Sequence, residues 1–230
     1  MQANENKELI IEVENKKYER YPIKTHIITD ADDIGDVAKQ YTDDIKADGD
    51  ILFISEKAVA CTQRRAIPMD EIKPRPIARV LCKFVYKSPY GIGLSIPETM
   101  EMACRECGTG RVLLAAVCSF FGKLVGKRGV FYNILGPKAR SIDGPCDCTI
   151  PPYNNYVVLG PKDPDSVAKG VKEKTGLDTL IVDINDLGGV ILGVSDDSLD
   201  REYYAKVLKD NPLGQSKQQT PMGIIRRVNE

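Results

Sequence analysis

The chain has 230 residues, which is enough for one large domain or two small ones with a buried core. Hydrophobic residues make up 42% of it and charged residues 28%, which is ordinary for a soluble globular protein. The 32 basic residues nearly balance the 33 acidic ones, so no overall field favours DNA or an anionic membrane. We therefore expect neither a nucleic acid nor a membrane as a partner.

The N-terminal sequence MQANENKELI lacks the apolar core of a secretory signal. The longest apolar run, VLLAAVCSFF at residues 112–121, is about half the length that a bilayer-spanning helix needs. We expect a cytoplasmic protein in which this run forms a core helix.

Predicted strands and helices alternate along the chain, and several consecutive strands are joined by short turns. Alternating β-branched and aromatic residues predict strands in residues 9–29 (two strands around a turn at 14–17), 48–60, 130–135, 156–161, 179–186, 188–195 and 222–228. Apolar residues at helical spacing predict helices in residues 30–45, from about Ile77, and in 97–107, 111–124, 163–176 and 199–211. The hairpins favour an α+β fold with a mixed, largely antiparallel sheet and flanking helices.

Particular residues mark the expected ends of two helices and of the domain. Asp30 or Asp32 is predicted to cap the first helix, and Asp163 or Asp165 the helix that stops at Gly176.

No internal repeat or long linker marks a domain border, so we predict a flexible tail at residues 1–7 and one domain over 8–230. The irregular segment at 136–156, rich in Pro, Gly and Cys, is long enough to indicate a functional loop.

Seven cysteines without an export signal argue against a disulfide framework, and we predict free thiols. Two pairs, Cys104 with Cys107 and Cys146 with Cys148, leave a four-thiolate zinc site open. However, the first pair lies at helical spacing on an apolar face, and the spacing of the second pair is unusual for zinc.

Two carboxylates lie in segments where a metal or phosphate site is expected. Asp143 lies in the long loop, and Asp183 ends an apolar strand that runs into a polar turn. With an amide from Asn185 or Gln215, they would suit Mg²⁺ or Mn²⁺ bound together with phosphates. Either residue can instead serve an ordinary turn, because Asp, Asn and Gly stabilise turns.

Four segments in a fixed order resemble one family. They are DGDILFISEKAVACTQRRAIP at residues 48–68, RSIDGP at 140–145, LIVDINDLGG at 180–189 and NPLGQSKQQTPMGII at 211–225. Together they resemble the coenzyme F-420 γ-glutamyl ligases, in a looser ligase-like branch. The resemblance extends from about Tyr21 to Arg227.

The resemblance implies an enzyme that joins L-glutamate to a carboxylate-bearing acceptor, a deazaflavin precursor in the family. GTP, or ATP, phosphorylates the acceptor acid, and the glutamate amine attacks the acyl phosphate. Mg²⁺ or Mn²⁺ bridges nucleotide and substrate, and the family fold is an intertwined α+β homodimer.

The resemblance also implies site residues. Asp143 and Asp183 are the implied catalytic metal ligands, and Gln215 the implied ligand near metal and phosphate. The implied nucleotide contacts are Pro22, Ile23, Lys24, Thr25, Glu56, Lys57, Asn185 and Gln215.

Three positions depart from the family pattern. Ile184 stands where a Thr or Ser would be a second metal ligand, Cys61 replaces a lysine, and Gln63 replaces an acid. Two alternatives therefore remain open: a non-catalytic nucleotide- or cofactor-binding relative, and a metal-dependent phosphoryl-transfer enzyme.

Overall fold

A computed structural model describes residues 2–85, 92–127, 129–186 and 188–228. The chain divides into two units, Met1–Arg64 with Pro161–Glu230 as unit 1 and Arg65–Gly160 as unit 2. The predicted boundary between a tail at 1–7 and one domain at 8–230 stays a prediction.

Strands and helices alternate along the described residues. The strands are β1 (Ile10–Val13), β2 (Lys16–Ile23), β3 (Ile51–Ser55), β4 (Ala66–Pro68), β5 (Tyr156–Val158), β6 (Asp178–Asn185), β7 (Gly188–Val194) and β8 (Met222–Arg227). The helices are α1 (Ile34–Thr42), α2 (Glu56–Thr62), α3 (Pro76–Leu81), α4 (Pro97–Cys107), α5 (Thr109–Leu124), α6 (Val130–Leu135), α7 (Pro137–Arg140), α8 (Pro164–Thr175) and α9 (Arg201–Val207).

Unit 1 is built on a six-stranded sheet in the order β1-β2-β8-β3-β6-β7. The pair β3 and β6 is parallel, and the other four neighbouring pairs are antiparallel. The prediction of an α+β fold with a mixed, largely antiparallel sheet is confirmed, while the homodimer stays a prediction. Glu14 and Asn15 form the β1–β2 turn with positive φ angles of 52° and 61°, within the predicted turn.

Each face of this sheet buries its own apolar cluster, because successive side chains of a strand point to opposite faces. Leu52 and Ile54 of β3 pack in the cluster that includes buried residues of α1, α2 and α8. Phe53, between them, packs in the cluster on the other face with Val207 of α9. Helices therefore flank the sheet on both sides.

Two predictions in unit 1 are wrong in detail. Asp33, not Asp30 or Asp32, caps α1, because its carboxylate accepts hydrogen bonds from the amides of Gly35 and Asp36. The strand predicted over 48–60 ends at Ser55, and the remainder forms α2, since Ala58 and Val59 bury a helical face there.

The predicted helix at 163–176 is confirmed as α8. It is flanked by Asp163 as the N-terminal cap residue and by Gly176, whose positive φ of 76° ends the helix.

Unit 2 contains α3 to α7 and the antiparallel pair β4 and β5. Its core joins Met100 and Cys104 of α4, Val112 of α5 and Val157 of β5. Glu101 is also buried on α4, where it accepts hydrogen bonds from Arg75 and Arg105.

The strand predicted at residues 130–135 is a helix, α6. Gly129 and Gly136, both with positive φ, flank it, and Phe131 and Leu135 are buried four residues apart. The β-forming composition of VFYNIL was misleading, because packing of this helical face outweighs local strand propensity.

The prediction of seven free thiols is wrong for one pair. Cys146 and Cys148 form a disulfide in the long loop, and the other five cysteines are thiols. The amide of Thr149 donates to the carbonyl of Cys146, and this turn places the two Cα atoms 5.2 Å apart, within disulfide reach.

Within the described residues, no single helix has both the length and the apolar content needed to cross a bilayer. The helices α4 and α5 reach that length only together, across a bend of 114°.

Candidate functional site

The candidate site lies where several strands of the unit 1 sheet end or begin. Because β3 and β6 are parallel, with Ser55 opposite Val182, their carboxyl ends meet at one edge. Met222, which begins β8, pairs with both Ile54 and Ile23, so the end of β2 lies at that edge too. Loops leaving one edge of a sheet are a common place for a ligand site.

This edge brings together most of the residues expected from the sequence. It is made of residues 22–25, 55–57, 183–186 and 211–221, which we call the strand-end edge. All the predicted site residues except Asp143 belong to it.

Residues 22–25 are fixed to the loop before β8. The amide of Thr25 donates to the carbonyl of Gln219 at 3.2 Å, and Nε2 of Gln219 donates to the carbonyl of Thr25 at 2.6 Å. Ser55 also donates its amide to the carbonyl of Pro221 at 2.8 Å. Three polar segments are thus held together by backbone hydrogen bonds, which suits a preorganised site.

Gln215 fastens the same loop to the end of β6. Its side-chain oxygen Oε1 accepts hydrogen bonds from the amide of Asp186 at 3.1 Å and from Nδ2 of Asn211 at 3.2 Å. An amide oxygen has two lone pairs, so both are engaged. Direct metal ligation by Gln215 stays a prediction, and it would require release of one of these bonds.

Asn211 is a residue of this site that the sequence analysis missed. It is 1% exposed, has a positive φ of 52°, and donates from Nδ2 to the carbonyl of Gly214 at 2.9 Å as well as to Gln215. Its buried Oδ1 has no hydrogen-bond partner among the described residues. The available signal was the sequence NPLG, because Asn tolerates left-handed backbone better than most residues.

The N-terminal segment holds the loop from its other side. Nδ2 of Asn4 donates to the carbonyl of Pro212 and to Oγ1 of Thr220, both at 2.9 Å. Nζ of Lys7 lies 2.6 Å from Oδ1 of Asp186 and donates to the carbonyl of Asp210 at 2.8 Å. Residues within the predicted tail at 1–7 therefore take part in positioning the strand-end edge.

Asp183 and Ile184 lie on opposite faces of β6. Asp183 is half-buried and pairs with Val190 in the β6–β7 ladder. Ile184 packs against the apolar cluster of α9, and a Cβ on Gly189 would collide with its Cγ2. By strand alternation Asn185 shares the face of Asp183, so β6 offers a carboxylate and an amide on one side.

Glu56 and Lys57 follow β3 directly in the first turn of α2. The side chain of Glu56 is 5% exposed, whereas that of Lys57 is 49% exposed, with Nζ at 4.0 Å from Oε1 of Glu56. The edge therefore presents a cation whose stem is partly covered and whose charge reaches solvent.

Asp143 belongs to unit 2. It forms a two-way backbone bridge with Val158, with N–O distances of 2.8 and 2.9 Å, and is half-buried. Joint metal ligation by Asp143 and Asp183, which the family resemblance implies, stays a prediction.

The donors on the strand-end edge fit a hard cation. Within the described residues, no group of three or more His, Cys, Asp or Glu side chains is arranged to hold a metal ion. Asp183 and Asn185 offer oxygen on one face, which is what Mg²⁺ and Mn²⁺ prefer. Oxygen donors and a lysine on the same edge of the sheet are the chemistry expected around a metal–phosphate group.

These features define an α+β protein whose candidate site is built from loops at one edge of a mixed sheet. The chain belongs to the F420-0:Gamma-glutamyl ligase family, whose model matches residues 22–191. The match contains every predicted site residue except Gln215. The family resemblance read from the sequence is confirmed, and membership supports an enzyme with ligase activity.

A comparison with curated proteins supports the same family. The chain is similar to coenzyme F420:L-glutamate ligase of Methanopyrus kandleri, with 23% identity over 211 residues. The aligned region covers 78% of this chain and 75% of that protein.

Proposed function

We propose that the protein joins the amino group of L-glutamate to a carboxylate of an F420-type acceptor, with GTP or ATP as the energy source. Family membership and the name of the similar archaeal protein support the γ-glutamyl ligase activity. We also propose that the reaction takes place in the cytoplasm and that the enzyme is a homodimer, as the family resemblance implies.

The reaction has two balanced steps. An oxygen of the acceptor carboxylate attacks the γ-phosphorus, and the nucleoside diphosphate leaves. The glutamate amine then attacks the acyl carbon, inorganic phosphate leaves, and the amine loses a proton. Both steps gather negative oxygens, so charge neutralisation and positioning contribute more than a general base of unusual pKa.

The observation that carries the proposal is that the strand-end edge brings together residues 22–25, 55–57, 183–186 and 211–221. In this proposal Lys57 would meet phosphate oxygens, and the loops at residues 22–25 and 211–221 would hold the nucleotide. Asp143, Asp183 and Asn185 would hold Mg²⁺ or Mn²⁺, which supplies charge neutralisation when bound. Gln215 orients the end of β6 through Asp186.

Nucleotide binding is tested by thermal denaturation with GTP or ATP, each with and without Mg²⁺. A ligand that prefers the folded state raises the melting temperature. We expect a rise that needs both nucleotide and metal, and no rise with either nucleotide would contradict the proposal.

Catalysis is tested by phosphate release in the presence of an F420-type acceptor. Release that requires glutamate supports the ligase. Release that is equal without glutamate would instead indicate a phosphoryl-transfer enzyme that uses the same carboxylates.

A non-catalytic nucleotide-binding relative is the second candidate, and Ile184 favours it. Its side chain has no oxygen and is packed in the apolar cluster, so it offers nothing to a second metal. Metal-dependent nucleotide binding without glutamylated product would favour this reading.

A further inference from the structure

One side of α5 in unit 2 is apolar and exposed to solvent. The residues concerned, which we call the α5 surface, are Leu113, Leu114, Val117, Phe120, Phe121, Leu124 and Val125. Their exposed fractions rise from 39% at Leu113 to 71% at Val125. At 3.6 residues per turn they cover a stripe of about 140°.

The stripe is too large to be incidental. Phe120 and Phe121 are 61% and 60% exposed, and Phe84, in the turn after α3, is 68% exposed. Nζ of Lys123 donates to the carbonyl of Phe84 at 3.3 Å, which ties this turn to the end of α5. Monomeric soluble proteins rarely expose contiguous apolar patches beyond a few hundred Å², and larger ones mark interaction sites.

The narrow opposite side of α5 packs into the core of unit 2. Val112 and Ala115 are buried in the core of unit 2, and Ala116 packs against it. The exposed side is therefore surplus to what folding of this unit requires.

The chain segment that contains the α5 surface is strongly basic. Residues 107–142 contain six Lys and Arg and no Asp or Glu. Arg111 and Lys123 flank the stripe on its two sides, and Lys127 follows its end.

The near balance of charge over the whole chain hides a division between the two units. Unit 2 has 13 basic and seven acidic residues, which leaves 19 basic and 26 acidic residues in unit 1. Unit 2 alone therefore carries a net positive charge, which attracts an anionic surface although the whole chain is nearly neutral.

We propose that the α5 surface docks onto an anionic lipid bilayer. An amphipathic helix with aromatic and aliphatic residues on one side and bases at its borders lies in the plane of such an interface. Phe120, Phe121 and Leu124 enter the boundary between headgroups and acyl chains. Lys123 and Lys127 meet the lipid phosphates, each contributing about tenfold or less to the affinity.

Charge complementarity favours this occupant over the pairing of α5 with α5 of a second copy. If α5 paired with its own copy around a two-fold axis, Arg111 and Lys123 would border the contact. The helix offers no carboxylate to them, so bases would face bases. An anionic headgroup layer satisfies both the apolar stripe and its basic border.

The test measures co-sedimentation of the full chain with vesicles of phosphatidylcholine, with and without phosphatidylglycerol. We expect binding to the anionic vesicles, at least about tenfold weaker binding to neutral ones, and weakening by salt. The double variant Phe120→Ser/Leu124→Ser removes apolar contacts, and Lys123→Glu/Lys127→Glu reverses the border charge. Each is expected to lower the affinity about tenfold or more.

Two variants in unit 1 serve as matched controls. Val190→Ser changes an apolar side chain that is 58% exposed, and Lys169→Glu reverses a charge on the exposed side of α8. Both are expected to bind vesicles like the native chain. Melting temperatures of all variants check folding. Phe120→Ser/Leu124→Ser is expected to leave the melting temperature unchanged, whereas Lys123→Glu/Lys127→Glu loses the hydrogen bond to the carbonyl of Phe84 and is expected to lower it slightly.

Absence of binding to anionic vesicles overturns the proposal, as does equal loss in the α5 and control variants. Light scattering on Phe120→Ser/Leu124→Ser tests whether a second copy of the chain covers the stripe instead. That occupant is indicated if the variant has a lower particle mass than the native chain and the native chain does not bind vesicles. The assay contains neither nucleotide nor glutamate, so its failure leaves the ligase proposal intact.

Discussion

Asn211 is predicted to hold the loop of the strand-end edge, and three substitutions separate its contributions. Asn211→Gly keeps a residue that tolerates a positive φ but removes the hydrogen bonds to Gly214 and Gln215. At roughly 1 kcal/mol per bond, the free energy of unfolding should fall by about 2 kcal/mol. Asn211→Ala should cost about 1 kcal/mol more, because its Cβ disfavours left-handed backbone.

Asn211→Asp gives the sharpest result. The introduced carboxylate would replace a donor that faces Gly214 O, Gln215 Oε1 and Asp186 Oδ1 at 2.9, 3.2 and 3.5 Å. Three acceptor oxygens would raise the pKa of that carboxyl above its unfolded value. The variant should therefore recover stability relative to the native chain as the pH is lowered, and lose it as the pH rises.

Thermal denaturation is the assay for all three variants. For a chain of this length, 1 kcal/mol corresponds to about 2–4 °C, so Asn211→Gly should melt about 4–8 °C lower. If Asn211→Ala melts no lower than Asn211→Gly, or if Asn211→Asp shows no pH dependence beyond the native chain, this account of the loop is refuted.

Three further predictions concern other parts of the molecule. Burial raises the pKa of Glu101, but hydrogen bonds from Arg75 and Arg105 outweigh it and hold the pKa below its usual range. Glu101→Gln should thus cost about 2 kcal/mol at neutral pH in chemical denaturation, a difference that disappears as acid protonates the native carboxylate. Lys57→Ala should weaken nucleotide binding by about 1.5–3 kcal/mol in calorimetry; unchanged affinity in both this variant and Gln215→Ala would place the nucleotide elsewhere. Light scattering should give twice the 25.4 kDa mass of one chain, and a stable monomer would remove the homodimer.

The sequence predicted those parts of the fold that local patterns determine. The hairpin of β6 and β7 and the ends of α8 follow from periodicity, glycines and capping residues. At α6 the local composition favoured a strand, but burial of Phe131 and Leu135 on one helical face decided otherwise.

The residues of the candidate site could be predicted where they belong to a sequence motif. They could not be predicted where only tertiary contacts bring them to the site. Asn4 and Lys7 reach partners about 180 to 215 residues away, and no local pattern indicates such contacts. The engagement of Gln215 with Asp186 is of the same kind. The charge of unit 2 was hidden because composition was averaged over a chain that folds as two units.

The central claim is that Asp183 serves ligase chemistry at the end of β6. Mass spectrometry of an F420-type acceptor, incubated with nucleotide, Mg²⁺ and glutamate, measures the glutamylated product directly. The matched control is Asp178→Asn, at the other end of the same strand, where the carboxylate lies 2.6 Å from Nζ of Lys172. We predict product with the native chain and with Asp178→Asn, and none with Asp183→Asn, while Asp183→Asn remains folded. Equal product from Asp183→Asn and the native chain would contradict the account.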